Sequence, residues 1–302
     1  MKYVVVGGAG FIGSNLVDKL INEGHEVSII DNFSTGKKDN INSNANVFEL
    51  DMSDISKKQK IISIMENTDT VFLLAAKARV QPSIKNPIEY EMNNTIGVLN
   101  ILKCAADAKV RRVVYSASSS AYGDSKVMPL VESMPVNPLS PYGAQKYYGE
   151  VMCNVFSHIY NIQTVCLRYF NVYGERQNLD GAYALVIGIF ASQLLSGKPM
   201  TIRGDGEQRR DFTYVGDVVN ANILASTSKN VGNGEVINIG NGDNRSINQI
   251  ADMLGDNKVY VDPVIEPKET LADNSLAKKL LGWEPKQVIE NWIPGYKKDI
   301  GL

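Results

Sequence analysis

The stretch YVVVGGAGFIGS, residues 3–14, joins a short apolar run to three glycines spaced three residues apart. The run has the composition of a buried strand, and the following segment, FIGSNLVDKLINEG, has the apolar periodicity of an amphipathic helix. Gly7 permits the sharp turn between them, and the missing Cβ at Gly10 lets an anion approach the free N–H groups of the helix N-terminus. Gly13 allows helix and strand to pack closely. The stretch predicts a strand, a phosphate-binding turn and a helix, in that order.

An acidic residue follows at the distance that a dinucleotide-binding turn requires. Asp31 ends the next apolar run, in VSIIDNF. A carboxylate there accepts hydrogen bonds from both hydroxyls of an adenosine ribose and repels a 2′-phosphate, which favours NAD over NADP. Lys37 and Lys38 lie a few residues on and keep NADP open as an alternative. Asp51, in VFELDMSD, is placed either to contact the adenine amino group or to cap a turn.

The first half of the chain alternates short β-branched runs with longer helical patterns. The candidate strands show little polar alternation and are KYVVVG, HEVSII, NVFEL, DTVFLLA, RRVVYSAS and IQTVCLRY. Helices are predicted to begin near Phe11, Asn93, Tyr142 and Gly181. Strands buried on both faces and separated by helices predict an α/β fold, a Rossmann-type doubly wound parallel sheet.

From about residue 172 the sequence becomes turn-rich and more polar between its helical patterns, the last of which follows Trp283. We therefore predict an NAD-binding Rossmann domain over residues 1–171. Residues 172–302 are predicted to form mainly a smaller C-terminal α+β lobe that binds a nucleotide sugar, with some chain crossing back to the sheet. Since no Pro/Ser-rich linker separates the two parts, we expect them to share a cleft.

Composition excludes several classes of protein. The net charge of −2 over 302 residues does not favour nucleic acid or an anionic membrane surface as a partner. No apolar run approaches the length of a membrane helix, and the chain start does not have the pattern of a signal peptide. The three cysteines are far apart in sequence and lie in apolar surroundings, so we predict that they are reduced thiols of the core. The cytoplasm is therefore the expected location. With two histidines and no ligand spacing, we expect no metal site.

A tyrosine and a lysine, Tyr142 and Lys146, follow a serine-rich strand end, VVYSASSSAYG. Residues four apart share a helix face, so the lysine is expected beside the tyrosine ring. A tyrosine acts as a base near neutral pH only if its pKa falls by about three units, which a nearby ammonium and the positive ring of NAD⁺ favour. Ser118 is expected to donate to a sugar oxygen or share a proton with Tyr142. Together these residues predict proton transfer coupled to nicotinamide chemistry.

At this point the chain resembles the extended short-chain dehydrogenase/reductase family, and within it the nucleotide-sugar epimerases of the UDP-glucose 4-epimerase type. The resemblance rests on GGAGFIG, the acid of IIDN, SASSSAYG, YGAQK, LRYFNVYG and GDGEQRRDFTYVGDVV. It implies a catalytic trio of Ser118, Tyr142 and Lys146. It also implies that Asn94 orders the strand ends near the cofactor, and that Tyr169 and Phe170 line the nicotinamide pocket.

The resemblance further implies two binding sets. The cofactor set is Gly7, Gly10, Phe11, Ile12, Gly13, Asp31, Asn32, Asp51, Met52, Ala75, Asn94, Ser116, Tyr142, Lys146 and Tyr169. The substrate set is Ser118, Tyr142, Asn171, Arg210 and Thr270. In the second set Arg210 is expected to bind the diphosphate, since a guanidinium matches phosphate oxygens.

Several positions depart from the family pattern. Leu73 replaces a common histidine, which affects packing near the cofactor more than chemistry. Ser119 and Ser120 stand where sugar dehydratases carry an acid pair and decarboxylating relatives keep a glutamate, so both of those reactions are disfavoured. A second diphosphate-binding arginine is missing from DPVIEPKETLAD, where Lys268 is the nearby cation. The small Thr270 is expected to admit an N-acetyl group on the sugar.

The expected activity is NAD-dependent 4-epimerisation of a UDP-hexose: UDP-glucose/UDP-galactose, with UDP-GlcNAc/UDP-GalNAc as further candidates. In the mechanism expected from the resemblance, Tyr142 removes the 4-hydroxyl proton while the hydride of carbon 4 passes to NAD⁺. The 4-keto sugar then presents its other face, the hydride returns to carbon 4 and the proton returns to the oxygen. Alternatives are an epimerase of another nucleotide sugar such as UDP-glucuronate, a nucleotide-4-ketosugar reductase, and a non-catalytic nucleotide-sensing protein. The resemblance also implies a homodimer, formed through the helices that begin near Asn93 and Tyr142.

Overall fold

The computed structural model describes residues 1–179, 184–264 and 266–302. Its strands are β1 (Lys2–Val6), β2 (Glu26–Asp31), β3 (Asn46–Glu49), β4 (Thr70–Leu73), β5 (Arg112–Ser118), β6 (Gln163–Tyr169), β7 (Val172–Tyr173), β8 (Met200–Arg203), β9 (Arg209–Asp211), β10 (Thr213–Tyr214), β11 (Asn233–Ile239), β12 (Asn244–Ser246) and β13 (Lys258–Val261). Its α-helices are α1 (Phe11–Asn22), α2 (Lys58–Met65), α3 (Val80–Lys85), α4 (Pro87–Glu91), α5 (Val98–Asp107), α6 (Pro141–Ile159), α7 (Val186–Leu195), α8 (Val215–Thr227), α9 (Ile247–Leu254), α10 (Ser275–Leu281) and α11 (Ile289–Ile300). Short 3-10 turns occupy Lys38–Asn40, Ile55–Lys57 and Ser119–Tyr122, and a π-helix occupies Met92–Gly97.

Within the described residues, seven strands form a parallel sheet in the order β11-β6-β5-β4-β1-β2-β3. The strand order reverses between β1 and β4, because the chain leaves β1 toward one edge and returns on its other side. The doubly wound parallel sheet predicted from the sequence is confirmed. In such sheets ligands bind where the order reverses, beyond the carboxyl ends of the strands.

The sheet is buried on both faces. Tyr3 and Val5 point into one core cluster with the apolar residues of α1, α8 and α10. Val4 and Val6 point into another cluster, with residues of α2, α5 and α6. This double burial explains why the strand sequences lack polar alternation. The cysteines Cys104, Cys153 and Cys166 are all unpaired and buried in these layers.

Helix starts differ from the sequence prediction in places. The helix expected near Asn93 begins instead at Pro87 and continues through the π-helix into α5. Proline suits the first turn of a helix because its missing N–H has no partner there in any case. The start predicted near Gly181 lies outside the described residues, and α7 begins at Val186.

Some residues beyond 172 belong to the sheet and its covering helices, and others form a smaller lobe. β11 pairs with β6 at the sheet edge, and α8 and α10 pack on the adjoining face. The lobe has its own core of residues from α7, α9 and α11, beside the short pairs β12·β9 and β13·β8. Within the described ranges, no helix has the length and apolar character needed to cross a membrane.

Candidate active site

The glycine turn brings β1, α1 and the end of β4 into close contact. Gly7 has a φ of +88°, and a Cβ there would lie 2.6 Å from the backbone N of Ala75. A Cβ on Gly13 would lie 2.1 Å from the carbonyl oxygen of Gly7. Neither distance is possible for a real side chain, so both positions require glycine. The turn therefore leaves the N-terminus of α1 open to the cavity beside it, where Gly10, Phe11 and Ile12 lie on the wall.

Asp31 fixes this turn while facing the same cavity. One of its carboxylate oxygens accepts a hydrogen bond from the N–H of Ala9 at 3.0 Å, and the other accepts from the N–H of Phe33 at 2.8 Å. Each oxygen retains a further lone pair. A cradle of glycines, a helix N-terminus and this acid match what an adenosine diphosphate needs, so the described residues fit NAD.

Asp51 has different hydrogen-bond partners from Asp31. Its carboxylate accepts hydrogen bonds from the N–H and the hydroxyl of Ser53, at 2.7 and 2.6 Å, and from the amide of Asn32 at 2.8 Å. These contacts cap the turn after β3, which is one of the two roles considered for it. Asn32 and Met52 lie on the cavity wall, and Asp51 is hydrogen-bonded to the first and precedes the second in the chain, so its contact with adenine stays a prediction.

A cavity of about 580 Å³ extends from the glycine turn across the carboxyl end of the sheet to the smaller lobe. Most of the residues expected to bind cofactor or substrate lie on its wall: Gly7, Gly10, Phe11, Ile12, Gly13, Asp31, Asn32, Met52, Ala75, Ser116, Ser118, Tyr142, Lys146, Tyr169, Asn171, Arg210 and Thr270. The fold thus gathers residues from both halves of the chain around one space.

Tyr142 lies in the first turn of α6, which Ser140 caps by accepting a hydrogen bond from the N–H of Gly143 at 3.1 Å. Burial raises the pKa of the Tyr142 phenol, while its hydrogen bond with Ser118 and the positive charge of Arg79 oppose that rise. The expectation was a lowered pKa. The residues of the chain alone produce the opposite direction, because the phenol is buried.

Lys146 points toward β5. Its Nζ donates to the carbonyl oxygen of Ser116 at 2.7 Å and lies 5.0 Å from the centre of the Tyr115 ring. Burial lowers the pKa of Lys146 to about 7, and the negative charge of Glu150 opposes this. The ammonium is thus held by the strand end that carries Ser116, while Tyr142 and Lys146 both line the cavity, and the expected place of Lys146 beside the Tyr142 ring stays a prediction.

Hydroxyl groups surround Tyr142. The Oγ atoms of Ser118 and Ser120 are 2.5 Å apart, and the N–H of Ser120 donates to Ser118 Oγ at 3.2 Å. Ser119 and Ser120 both line the cavity. No carboxyl group occupies these two positions, since both are serine in the sequence.

Arg210 marks the far end of the cavity and is already ion-paired. Its Nη2 contacts Glu266 Oε2 at 2.7 Å, and its Nη1 donates to the carbonyl oxygen of Arg209 at 2.8 Å. Thr270 and Asn171 both bind the backbone of Asp211, the neighbour of Arg210. Glu266 was not predicted. Its signal was an acidic residue in the segment where a second arginine was expected.

Four further residues singled out in the sequence have the following surroundings. Asn94 is buried behind the wall, where its amide exchanges hydrogen bonds of 2.9 Å with the backbone of Lys77 and donates to Gln145. Phe170 belongs to a separate apolar cluster, so its predicted place in the nicotinamide pocket is wrong. Tyr169 lines the cavity with its ring and donates its hydroxyl to Asn222 at 2.9 Å. Leu73 is fully buried.

Comparison with known proteins agrees with this arrangement. The model of the NAD-dependent epimerase/dehydratase family matches residues 3–240, and the chain belongs to this family. NAD is therefore its cofactor.

Particular relatives narrow the resemblance. A putative UDP-glucose 4-epimerase of Methanocaldococcus jannaschii is 42% identical over 83% of this chain and 80% of its own length. The crystal structure of a Thermotoga maritima UDP-glucose 4-epimerase with UDP-glucose has a TM-score of 0.93 and 38% identity, covering 99% of this chain and all of that one. A UDP-N-acetylglucosamine 4-epimerase of Methanobrevibacter ruminantium, in complex with UDP-N-acetylmuramic acid, has a TM-score of 0.90 and 37% identity over 97% and 95% of the two chains. The family resemblance inferred from the sequence is confirmed.

Proposed function

We propose that this protein is an NAD-dependent isomerase that interconverts UDP-glucose and UDP-galactose through a 4-keto sugar. One observation carries the proposal: Tyr142 and Ser118 face the same cavity, which has a dinucleotide turn at one end and Arg210 at the other. A single chamber thus offers places for NAD, a proton acceptor and an anionic substrate tail. The names of the similar epimerases support the same activity.

The chain supplies proton transfer and positioning. NAD, held at the glycine turn, would supply the hydride chemistry at carbon 4 of the sugar. Tyr142 accepts the proton of the 4-hydroxyl and, after the 4-keto sugar has presented its other face, returns it to the same oxygen. The Ser118 and Ser120 hydroxyls are 2.5 Å apart, and Ser118 lies on the same cavity wall as Tyr142, where it would orient the 4-hydroxyl of the sugar. Lys146, held by Ser116, is placed to hydrogen-bond a cofactor ribose.

The hydroxyl lining explains why the cycle ends in epimerisation. Loss of a sugar hydroxyl requires a general acid that protonates the leaving group. Ser119 and Ser120 present hydroxyls at the positions expected to hold that acid, and neither is acidic enough to serve. The 4-keto sugar is therefore expected to be reduced again rather than dehydrated.

The test is turnover of a panel of UDP-sugars followed by proton NMR. We expect interconversion of UDP-glucose and UDP-galactose, with NAD retained through purification. Tyr142→Phe should abolish turnover while leaving NAD bound, because only the proton acceptor is lost. Near-normal turnover by that variant would refute the assignment of Tyr142. Dependence on added NADH, with none bound, would instead favour a ketosugar reductase.

The same panel of UDP-sugars tests whether the pocket accepts an N-acetyl group on the sugar. Thr270 is buried at the cavity wall and presents a small side chain there. We infer that the pocket accepts UDP-GlcNAc/UDP-GalNAc as well. Good turnover of the hexose pair with undetectable turnover of the N-acetyl pair would exclude this.

We also infer a cytoplasmic homodimer. Exposed apolar side chains lie on two helical segments that pack against each other: Ile88 and Met92 on one, Tyr147 and Val151 on α6. Ile88 is 80% exposed, which favours a covering partner. Sedimentation should give a dimer, and Val151→Glu should give a monomer.

The buried free thiols favour a reducing compartment, which cell fractionation would check.

A further inference from the structure

Asp211 follows Arg210 in β9 and is a fully buried carboxylate. Its Oδ1 accepts a hydrogen bond from the N–H of Asn241 at 2.7 Å, and its Oδ2 accepts from the N–H groups of Gly242 and Ala272, each at 3.0 Å. Burial raises the pKa of Asp211 to about 6, and these three N–H groups oppose the rise. The group is therefore ionised at neutral pH and accepts hydrogen bonds with both oxygens.

The donors come from two segments that are distant from Asp211 in sequence. Asn241 and Gly242 lie in the loop after β11, 30 and 31 residues along the chain, whereas Ala272 is 61 residues away. Gly240 precedes them, and a Cβ there would lie 2.3 Å from the Cβ of Ala272 and 3.1 Å from Asp211 Oδ2. Because Gly240 has no side chain, the loop and Ala272 can approach the carboxylate together. Asp211 thus joins three parts of the chain at one point.

The main chain of Asp211 holds two groups of the cavity wall. Its N–H donates to Thr270 Oγ1 at 3.3 Å, and its carbonyl oxygen accepts from Asn171 Nδ2 at 3.2 Å. Thr270, Asn171 and Arg210 all line the cavity, and Asp211 is not among the described residues of its wall. Successive side chains of a strand point to opposite faces, so the side chains of Arg210 and Asp211 leave β9 on opposite sides. The carboxylate therefore connects the residues expected to bind substrate without being one of them.

Such a joint matters because the wall is assembled from segments that no local structure holds together. Asn171 and Thr270 lie 40 and 59 residues from Asp211 along the chain. Hydrogen bonds to an ionised acceptor are stronger than those between neutral groups, and they are strengthened further by burial. A wall that is fixed before the ligand arrives does not have to be ordered during binding, so more of the contact energy appears as affinity.

We propose that Asp211 is a positioning residue for substrate binding, whose carboxylate holds two distant segments against β9 and so fixes three wall residues relative to one another. The wall residues are Arg210, Asn171 and Thr270. Asp211 acts through them, and no bond or proton changes at its carboxylate in the reaction. The identity of the ligand as a UDP-sugar rests on the proposed function.

The experiment uses the isosteric variant Asp211→Asn in the NAD-bound enzyme. The amide keeps one acceptor oxygen but turns an NH₂ group toward the remaining N–H donors, so the joint opens with little change in volume. Asp217→Asn is the matched control. Asp217 is also buried, and its Oδ2 accepts from the N–H groups of Lys286 and Gln287 at 2.9 and 3.0 Å. None of these three is among the described residues that line the cavity.

We expect Asp211→Asn to raise KM for the UDP-sugar and to weaken UDP binding by about tenfold or more, while kcat and NAD affinity stay near the wild-type values. Both variants should lower Tm, because each leaves a backbone N–H without its acceptor. Asp217→Asn should leave KM and UDP affinity unchanged, since a merely structural carboxylate does not act on the wall. Unchanged UDP affinity in Asp211→Asn, or an equal loss in Asp217→Asn, would overturn the proposal.

Hydrogen exchange of the wild-type protein tests the joint without any substitution. Gly242 is exposed, yet its N–H should exchange at least about a hundredfold more slowly than in an unstructured peptide, because Asp211 accepts it. Unprotected N–H groups at Gly242 and Ala272 would overturn the proposal even if Asp211→Asn did not fold. If no UDP-sugar turns over, the proposed function fails, and UDP affinity and hydrogen exchange still decide the role of Asp211.

Discussion

Replacing Lys146 by methionine should make the protein inactive but more resistant to unfolding at low pH. Burial lowers the pKa of Lys146 from its usual 10.5 to about 7. The unfolded chain therefore binds the proton more tightly than the folded one, and stability must rise with pH between these two values. The penalty for burying the charge is fully present below about pH 7 and is lost as pH approaches about 10.5.

The size of the effect follows from that difference. At 1.36 kcal/mol for each pH unit, the penalty is about 5 kcal/mol at pH 6 and about 2 kcal/mol at pH 9. Methionine removes the penalty, but it also loses the hydrogen bond to Ser116, which a charged or a neutral amine can donate and whose loss costs about 1–3 kcal/mol at both pH values. Compared with the wild type, Lys146→Met should be more stable at pH 6. This advantage should shrink by about 3 kcal/mol at pH 9.

The assay is urea unfolding, followed by the fluorescence of Trp283 and Trp292, on protein freed of nucleotide. Lys60→Met, at an exposed position on α2, is the control and should change the unfolding free energy by less than about 0.5 kcal/mol at both pH values. Parallel pH dependence in the wild type and in Lys146→Met would refute the claim that Lys146 is buried at a cost. Retained turnover would refute its catalytic role.

Two further changes test the ends of the cavity. Gly13→Ala places a methyl group against the Gly7 carbonyl, so unfolding free energy should fall by about 1–3 kcal/mol and NAD affinity by about tenfold or more, as measured by urea unfolding and calorimetry. Gly295→Ala is the control, since a Cβ there meets no described atom within 4 Å. Normal NAD binding by Gly13→Ala would contradict the reasoning. Glu266→Gln removes the negative charge that pairs with Arg210, so UDP should bind about tenfold more tightly at low salt while uridine is unaffected. Weaker UDP binding would show instead that Glu266 orients the guanidinium.

Much of the cofactor site was readable from local sequence. The spacing of Gly7, Gly10 and Gly13 predicts the glycine turn because all three residues act within that one turn. Asp31 could be identified because one helix and one strand separate it from the turn. Asp51 shows where such reasoning ends. Its carboxylate accepts two hydrogen bonds from Ser53, two residues on, and a short sequence pattern does not distinguish this turn contact from the predicted contact with adenine.

The tyrosine–lysine pair illustrates the same boundary. Helical spacing correctly placed Tyr142 and Lys146 on successive turns of α6. It carried no information about which neighbour each side chain contacts, since Ser116 is 30 residues away along the chain. The choice of β5 for the ammonium depends on how α6 packs against the sheet.

Patterns of a few residues were therefore enough for the first six strands of the parallel sheet, the glycine turn and the presence of Ser118, Tyr142 and Lys146 at the carboxyl end of that sheet. These features depend on backbone geometry and burial, which neighbouring residues specify. The pairing of Arg210 with Glu266, 56 residues apart, required the folded molecule. Such contacts join segments distant in sequence, and their charges act through space according to distance and burial, which no short pattern records.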